Sequence, residues 1–142
     1  MTRVGFYIVE NPDQDSCLRL ALRLTEKAHG QGHRIYLLCE NEVQARELDE
    51  RLWSFRPASF LPHALVTDQP DAQICLAWDQ EPTAHDDLLI NLQPTVPAFV
   101  GRFRRVAELV NQEASRLEAL RASWRHYRER GYALEEHRLA SV

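Results

Sequence analysis

Short apolar runs separated by helically patterned segments constrain this chain more than any other feature. Residues 4–9 read Val-Gly-Phe-Tyr-Ile-Val, without the polar–apolar alternation of a strand that keeps one face wet. Residues 34–39, 74–78 and 87–92 repeat that character. Such runs predict strands buried on both faces, which belong to a parallel sheet with cover on each side. Between the first two runs, Cys17, Leu20, Ala21, Leu24 and Ala28 recur at spacings of three and four and predict a helix over residues 13–29. Gly30-Gln31-Gly32 ends it. Asn41 can cap a second helix carrying Val43, Ala45, Leu48, Leu52 and Trp53.

The second half is punctuated differently. Residues 54–63 are broken by prolines and rich in aromatics, and predict an ordered loop, with His63 orienting it. Residues 68–71 predict a surface turn. Phe99, Phe103, Val106, Ala107 and Val110 are helically spaced and predict a helix over residues 98–110. Leu117, Leu120, Trp124 and Tyr127 predict a further helix over residues 113–130, stopped by Gly131. The expected architecture is a three-layer, Rossmann-like α/β domain with a mostly parallel sheet. At 142 residues it fits one domain spanning 1–142.

Several function classes are excluded or weakened. No apolar run approaches the roughly 18 residues of a transmembrane helix, and the N-terminus lacks a signal-peptide pattern, so a soluble cytoplasmic protein is expected. Cys17, Cys39 and Cys75 are scattered and form no metal-spaced pair, which suits buried reduced thiols. The six histidines form no ligand pair either, since His29 and His33 straddle the glycines. No metal or cofactor is expected. The first strand–helix turn, Val-Glu-Asn-Pro-Asp-Gln-Asp, has no glycine and three acids, which argues against a phosphate site. Glu10, Glu40 and Asp79, at the carboxyl ends of strands, leave open an α/β phosphohydrolase or nucleotide-binding protein working through strand-end carboxylates.

Two features stand apart. Trp53, Phe55, Phe60, Leu61 and Pro62 put large apolar groups at a helix end and in a loop, where they either fold onto the core or anchor another protein. Arg121, Trp124, Arg125 and Arg128 share one side of the last helix, suiting an acidic peptide, single-stranded nucleic acid, or a solvated face over a buried Trp124. The formal charge of −4 is uneven: residues 1–34 sum to +1, 35–100 to −8 and 101–142 to +3. That balance weighs against direct contact with nucleic acid.

Taken together, Gly5-Phe6-Tyr7, residues 39–53 (CENEVQARELDERLW), Ser59-Phe60-Leu61-Pro62-His63, residues 74–78, residues 87–92 and Trp124-Arg125-His126-Tyr127-Arg128 before Gly131 resemble the chi-subunit family of the bacterial DNA polymerase III holoenzyme. The resemblance implies a non-catalytic clamp-loader accessory protein with a Rossmann-like fold. It implies two partners: the psi subunit, and the acidic C-terminal tail of single-stranded DNA-binding protein. Some relatives pair with an XPD-like helicase through the psi-side surface. By this resemblance Trp53, Phe60, Leu61 and Pro62 would meet psi. Arg121, Trp124 and Arg125 would hold the tail, with Arg128 added one turn on. The family's upstream basic position is Leu117 here, with Arg116 beside it as a substitute, and Trp124 stands where relatives have a smaller aromatic.

Overall fold

The computed structural model describes residues 2–11, 13, 15–54 and 61–140. Seven strands form one sheet in the order β3-β4-β2-β5-β6-β1-β7. These are β1 (Arg3–Val9), β2 (Ile35–Leu38), β3 (His63–Leu65), β4 (Ile74–Ala77), β5 (Leu88–Asn91), β6 (Arg105–Val110) and β7 (Ala133–Leu139). Every neighbouring pair is parallel. Helices α1 (Ser16–Gly30) and α2 (Glu42–Ser54) pack together, and α3 (Ala114–Glu129) lies against β6 and β7. No helix among the described residues is long and apolar enough to cross a membrane.

The elements follow from local chemistry. β2 and β4 are buried at every position, as their unbroken apolar runs require. Asn41 caps α2, its Oδ1 accepting from the Gln44 N–H at 2.8 Å. α1 and α3 end alike. Gly32 and Gly131 take positive φ (88° and 80°), and the next residue's N–H returns to the last turn, His33 to Ala28 and Tyr132 to Tyr127. All three cysteines are free and buried, and burial pushes their thiols up, to about 11 for Cys17 and about 12 for Cys39 and Cys75.

One predicted helix is a strand instead. Residues 98–110 are not a helix: a 3₁₀ turn at Val100–Arg102 is followed by β6. Val106 to Val110 are all buried. A strand covered on both faces is apolar at consecutive positions, so helical spacings can be picked out of it by chance. Phe99 and Phe103, which supplied the first two positions of that pattern, pack instead around Tyr36, at 6.2 and 6.1 Å between ring centroids. They cover the sheet where no helix lies. β3 and β7 also lie outside the expected strands: β3, His63–Leu65, is only three residues long and takes His63 out of the expected loop, and β7 is a charged edge strand, reading Ala-Leu-Glu-Glu-His-Arg-Leu.

Side-chain alternation fixes which groups face which layer. Phe6 of β1 points toward α3 and meets Trp124 and Tyr127. Gly5 and Tyr7 therefore face the α1 side.

Candidate functional site

The strand ends form the ordinary ligand position of an open α/β sheet. Here a depression of about 660 Å³ lies among the N-termini of the helices, lined by Asp15, Glu40, Glu47, Glu113 and Arg116 among others. Four carboxylates against one guanidinium repel a phosphate. Of the three strand-end acids, only Glu40 lines it. Glu10 approaches Arg138 at 3.7 Å, and Asp79 is exposed. Among the described residues no three His, Cys, Asp or Glu side chains converge as a metal site. Asp15 is engaged by Arg51 and Arg19, whose hydrogen bonds and charge hold its carboxyl below the usual carboxylate range.

Arg116 belongs to this crest. Its guanidinium pairs with Glu40 and donates to the Leu92 carbonyl at 2.8 Å. It is thus separated from Arg121, Trp124, Arg125 and Arg128, with which the sequence grouped it. The reason is helical phase. Positions 116, 120, 123 and 127 form the stripe of α3 that turns to the sheet, and Ser123 and Tyr127 on it are buried. Leu117, one residue on, packs against the core rim.

The outer flank of α3 differs. Leu120, Arg121, Trp124, Arg125 and Arg128, with Glu136 of β7, line an open depression of about 440 Å³. Positions 121, 124, 125 and 128 are spaced i, i+3, i+4, i+7 and so share one face. Trp124 is half-buried, its ring 5.0 Å from Phe6, which holds the indole in place while leaving part of it exposed. Arg121, Arg125 and Arg128 are exposed and make no ion pair or side-chain hydrogen bond among the described residues. The one acid of this depression, Glu136, is taken up by Arg138 at 3.1 Å. Three uncommitted guanidinium groups beside a fixed indole can grip a carboxylate and seat an apolar group.

Beneath the same helix lies a group the sequence reading missed. Glu108 of β6 is fully buried and accepts hydrogen bonds from Tyr127 Oη (2.6 Å) and Asn91 Nδ2 (3.0 and 3.1 Å). Burial pushes its carboxyl up to about 7, against the pull of those donors. An acid inside the run Arg-Val-Ala-Glu-Leu-Val was the available signal, hidden by reading the run as a helix.

On α2, Trp53 is 58% exposed and its ring lies 4.5 Å from that of His63, tilted by 57°. His63 is anchored in turn, Nδ1 to the Leu61 carbonyl at 2.6 Å and Nε2 within 3.4 Å of Asp49. Leu61 is 4% exposed and belongs to the core, so the apolar surface expected there loses it as a contact. Pro62 is half-buried. Phe60 lies outside the described residues. Val43, at 77% exposure, is the other large exposed apolar side chain on α2.

Comparison with known proteins agrees along the whole chain. Residues 1–135 match the family model described as DNA polymerase III chi subunit, HolC. The chain is 47% identical over 142 residues to the DNA polymerase III subunit chi of Pseudomonas aeruginosa, covering all of both chains. It is 30% identical over 141 residues to that of Escherichia coli, covering 94% of this chain and 96% of the relative. It is also 30% identical over 132 residues to that of Haemophilus influenzae, covering 91% and 92%.

Proposed function

This chain belongs to the DNA polymerase III chi-subunit family, a replication accessory subunit, and from that premise we propose that it is a non-catalytic, cytoplasmic adaptor with two protein-binding surfaces. One holds the acidic C-terminal tail of single-stranded DNA-binding protein on the outer flank of α3. The other holds the psi subunit at the apolar end of α2. The observation that carries the first assignment is the set of uncommitted guanidinium groups of Arg121, Arg125 and Arg128 around the half-buried Trp124.

The physics of the two contacts differs. At the α3 flank, exposed arginines attract an acidic segment from a distance, and a bidentate guanidinium–carboxylate contact fixes its end. The apolar wall of Leu120 and Trp124 takes an aromatic side chain next to that carboxylate. Such a contact is weak and salt-sensitive by itself, and several tails on one oligomeric partner raise its effective strength. At α2, the exposed Trp53 with half-buried Pro62 supplies apolar anchoring that salt barely affects, and Phe60, which the family resemblance adds, lies outside the described residues.

Calorimetry with the acidic C-terminal peptide, with and without its terminal aromatic residue, tests the tail assignment. Removing the aromatic should weaken binding at least tenfold, and equal binding by both peptides would reject an apolar seat. A Trp53→Ala variant should lose psi capture and keep the peptide. Loss of both ligands together would reject the two-surface reading.

A further inference from the structure

A second basic groove lies on the opposite face of the sheet from α3. It has a volume of about 570 Å³ and runs between α1 and the β1–β7 edge. Its floor is apolar and aromatic. Gly5 and Ala107 pair in register across β1 and β6, and Tyr7 is stacked on His137 at 4.6 Å with their rings 15° from parallel. A Cβ on Gly5 would stand 3.1 Å from the Tyr7 ring, so glycine there lets that pair settle onto the sheet.

The rim is cationic. Arg3, Arg23, Lys27 and Arg105 line it, and none makes an ion pair or side-chain hydrogen bond among the described residues. Arg3 and Arg105 stand directly opposite each other on adjacent strands. Two like charges in that position repel and cost stability unless an anion lies between them. The carboxylate on the groove wall, Glu135, is bonded to His137 at 3.2 Å. Arg105 is close enough to Tyr7 to oppose, in part, the rise that burial imposes on its phenol.

An apolar floor under a cationic rim suits an amphipathic anion. A nucleic-acid strand fits less well. The Tyr7 face that could take a base is already stacked by His137. We propose that this groove is a docking site for an acidic peptide segment of a partner protein, its carboxylates on the Arg3–Arg105 and Arg23–Lys27 rims and its apolar side chains on the Gly5–Ala107 floor.

The test uses the full chain carrying Arg121→Glu and Arg125→Glu, which removes the α3 flank as a competing site. The probe is the C-terminally amidated peptide Asp-Asp-Phe-Asp-Asp-Leu-Asp-Asp, followed by amide shifts in NMR. Shifts at Gly5, Lys27 and Ala107 are expected, with affinity at least tenfold lower after Arg3→Glu plus Arg105→Glu. Both arginines are exposed, and Arg23→Glu plus Lys27→Glu on α1 reads the same loss should the strand variant fold poorly. Three results would each overturn the proposal: unchanged affinity in the foldable rim variants, equal affinity for an all-aspartate octapeptide, or tighter binding of an eight-residue oligothymidylate. None of these outcomes bears on the α3 flank, which the parent variant has already disabled.

Discussion

The two faces of α3 carry similar chemistry to opposite ends. On the inner stripe the guanidinium of Arg116 and the hydroxyl of Tyr127 are both spent. Arg116 is held by Glu40 and the Leu92 carbonyl, and Tyr127 Oη donates to Glu108. On the outer flank Arg121, Arg125 and Arg128 have no partner among the described residues. A buried polar group without a partner costs free energy, so the inner stripe had to satisfy its own. An exposed guanidinium is solvated at little cost and remains available to a ligand. Commitment to an internal partner, rather than residue type, therefore separates the structural arginine from the candidate binding ones.

Substitutions can break that contrast or sharpen it. Tyr127→Ala should do the most damage, destabilising the fold by about 3–5 kcal/mol, because it opens a cavity under α3 and removes a donor from a buried carboxylate. Urea unfolding measures it, and a loss under 1 kcal/mol would mean that the inner stripe is not load-carrying. The pH profile comes next. Glu108 titrates near 7 in the native state and near 4.5 unfolded. Between those values the native state holds a proton that the unfolded chain has released. Stability should therefore fall as pH rises through that window, by about 2–3 kcal/mol. Glu108→Gln should flatten that slope, and an unchanged slope would assign it to another group.

Arg116→Ala should cost about 1–3 kcal/mol by leaving Glu40 and the Leu92 carbonyl without their partner, while peptide affinity at the outer flank stays within about twofold. Arg121→Ala should invert that result: unfolding changed by less than about 0.5 kcal/mol, acidic-peptide affinity lowered about fivefold, or about 1 kcal/mol. If Arg116→Ala weakened the peptide more than Arg121→Ala did, the division between the faces would be wrong. Arg128→Lys is the finest probe. It keeps the charge and removes the fork, so a loss of about twofold to threefold, seen by calorimetry, separates bidentate contact from simple attraction.

Much of this was legible in the residues. The apolar runs at 4–9, 34–39, 74–78 and 87–92 announced strands of a covered parallel sheet, because a strand buried on both faces has no polar side to show. The spacing of Arg121, Trp124, Arg125 and Arg128 placed them on one helix face, since helical geometry is local. The glycines after α1 and α3 marked both stops for the same reason.

Other features depend on what lies across the sheet. Residues 105–110 satisfy a helix or a buried strand equally well by spacing, and pairing with β1 and β5 decides between them. Arg116 looks interchangeable with Arg121 until Glu40, 76 residues earlier, claims it. Leu61 can by sequence either fold inward or face another protein, and the core takes it. The charge count shows the same division. The sequence concentrates negative charge in residues 35–100 and leaves its ends mildly positive. Only the placement of β1 beside β6 and β7 brings Arg3 opposite Arg105 and gathers those separate charges onto one groove, because electrostatic fields add over distance in space and not along the chain.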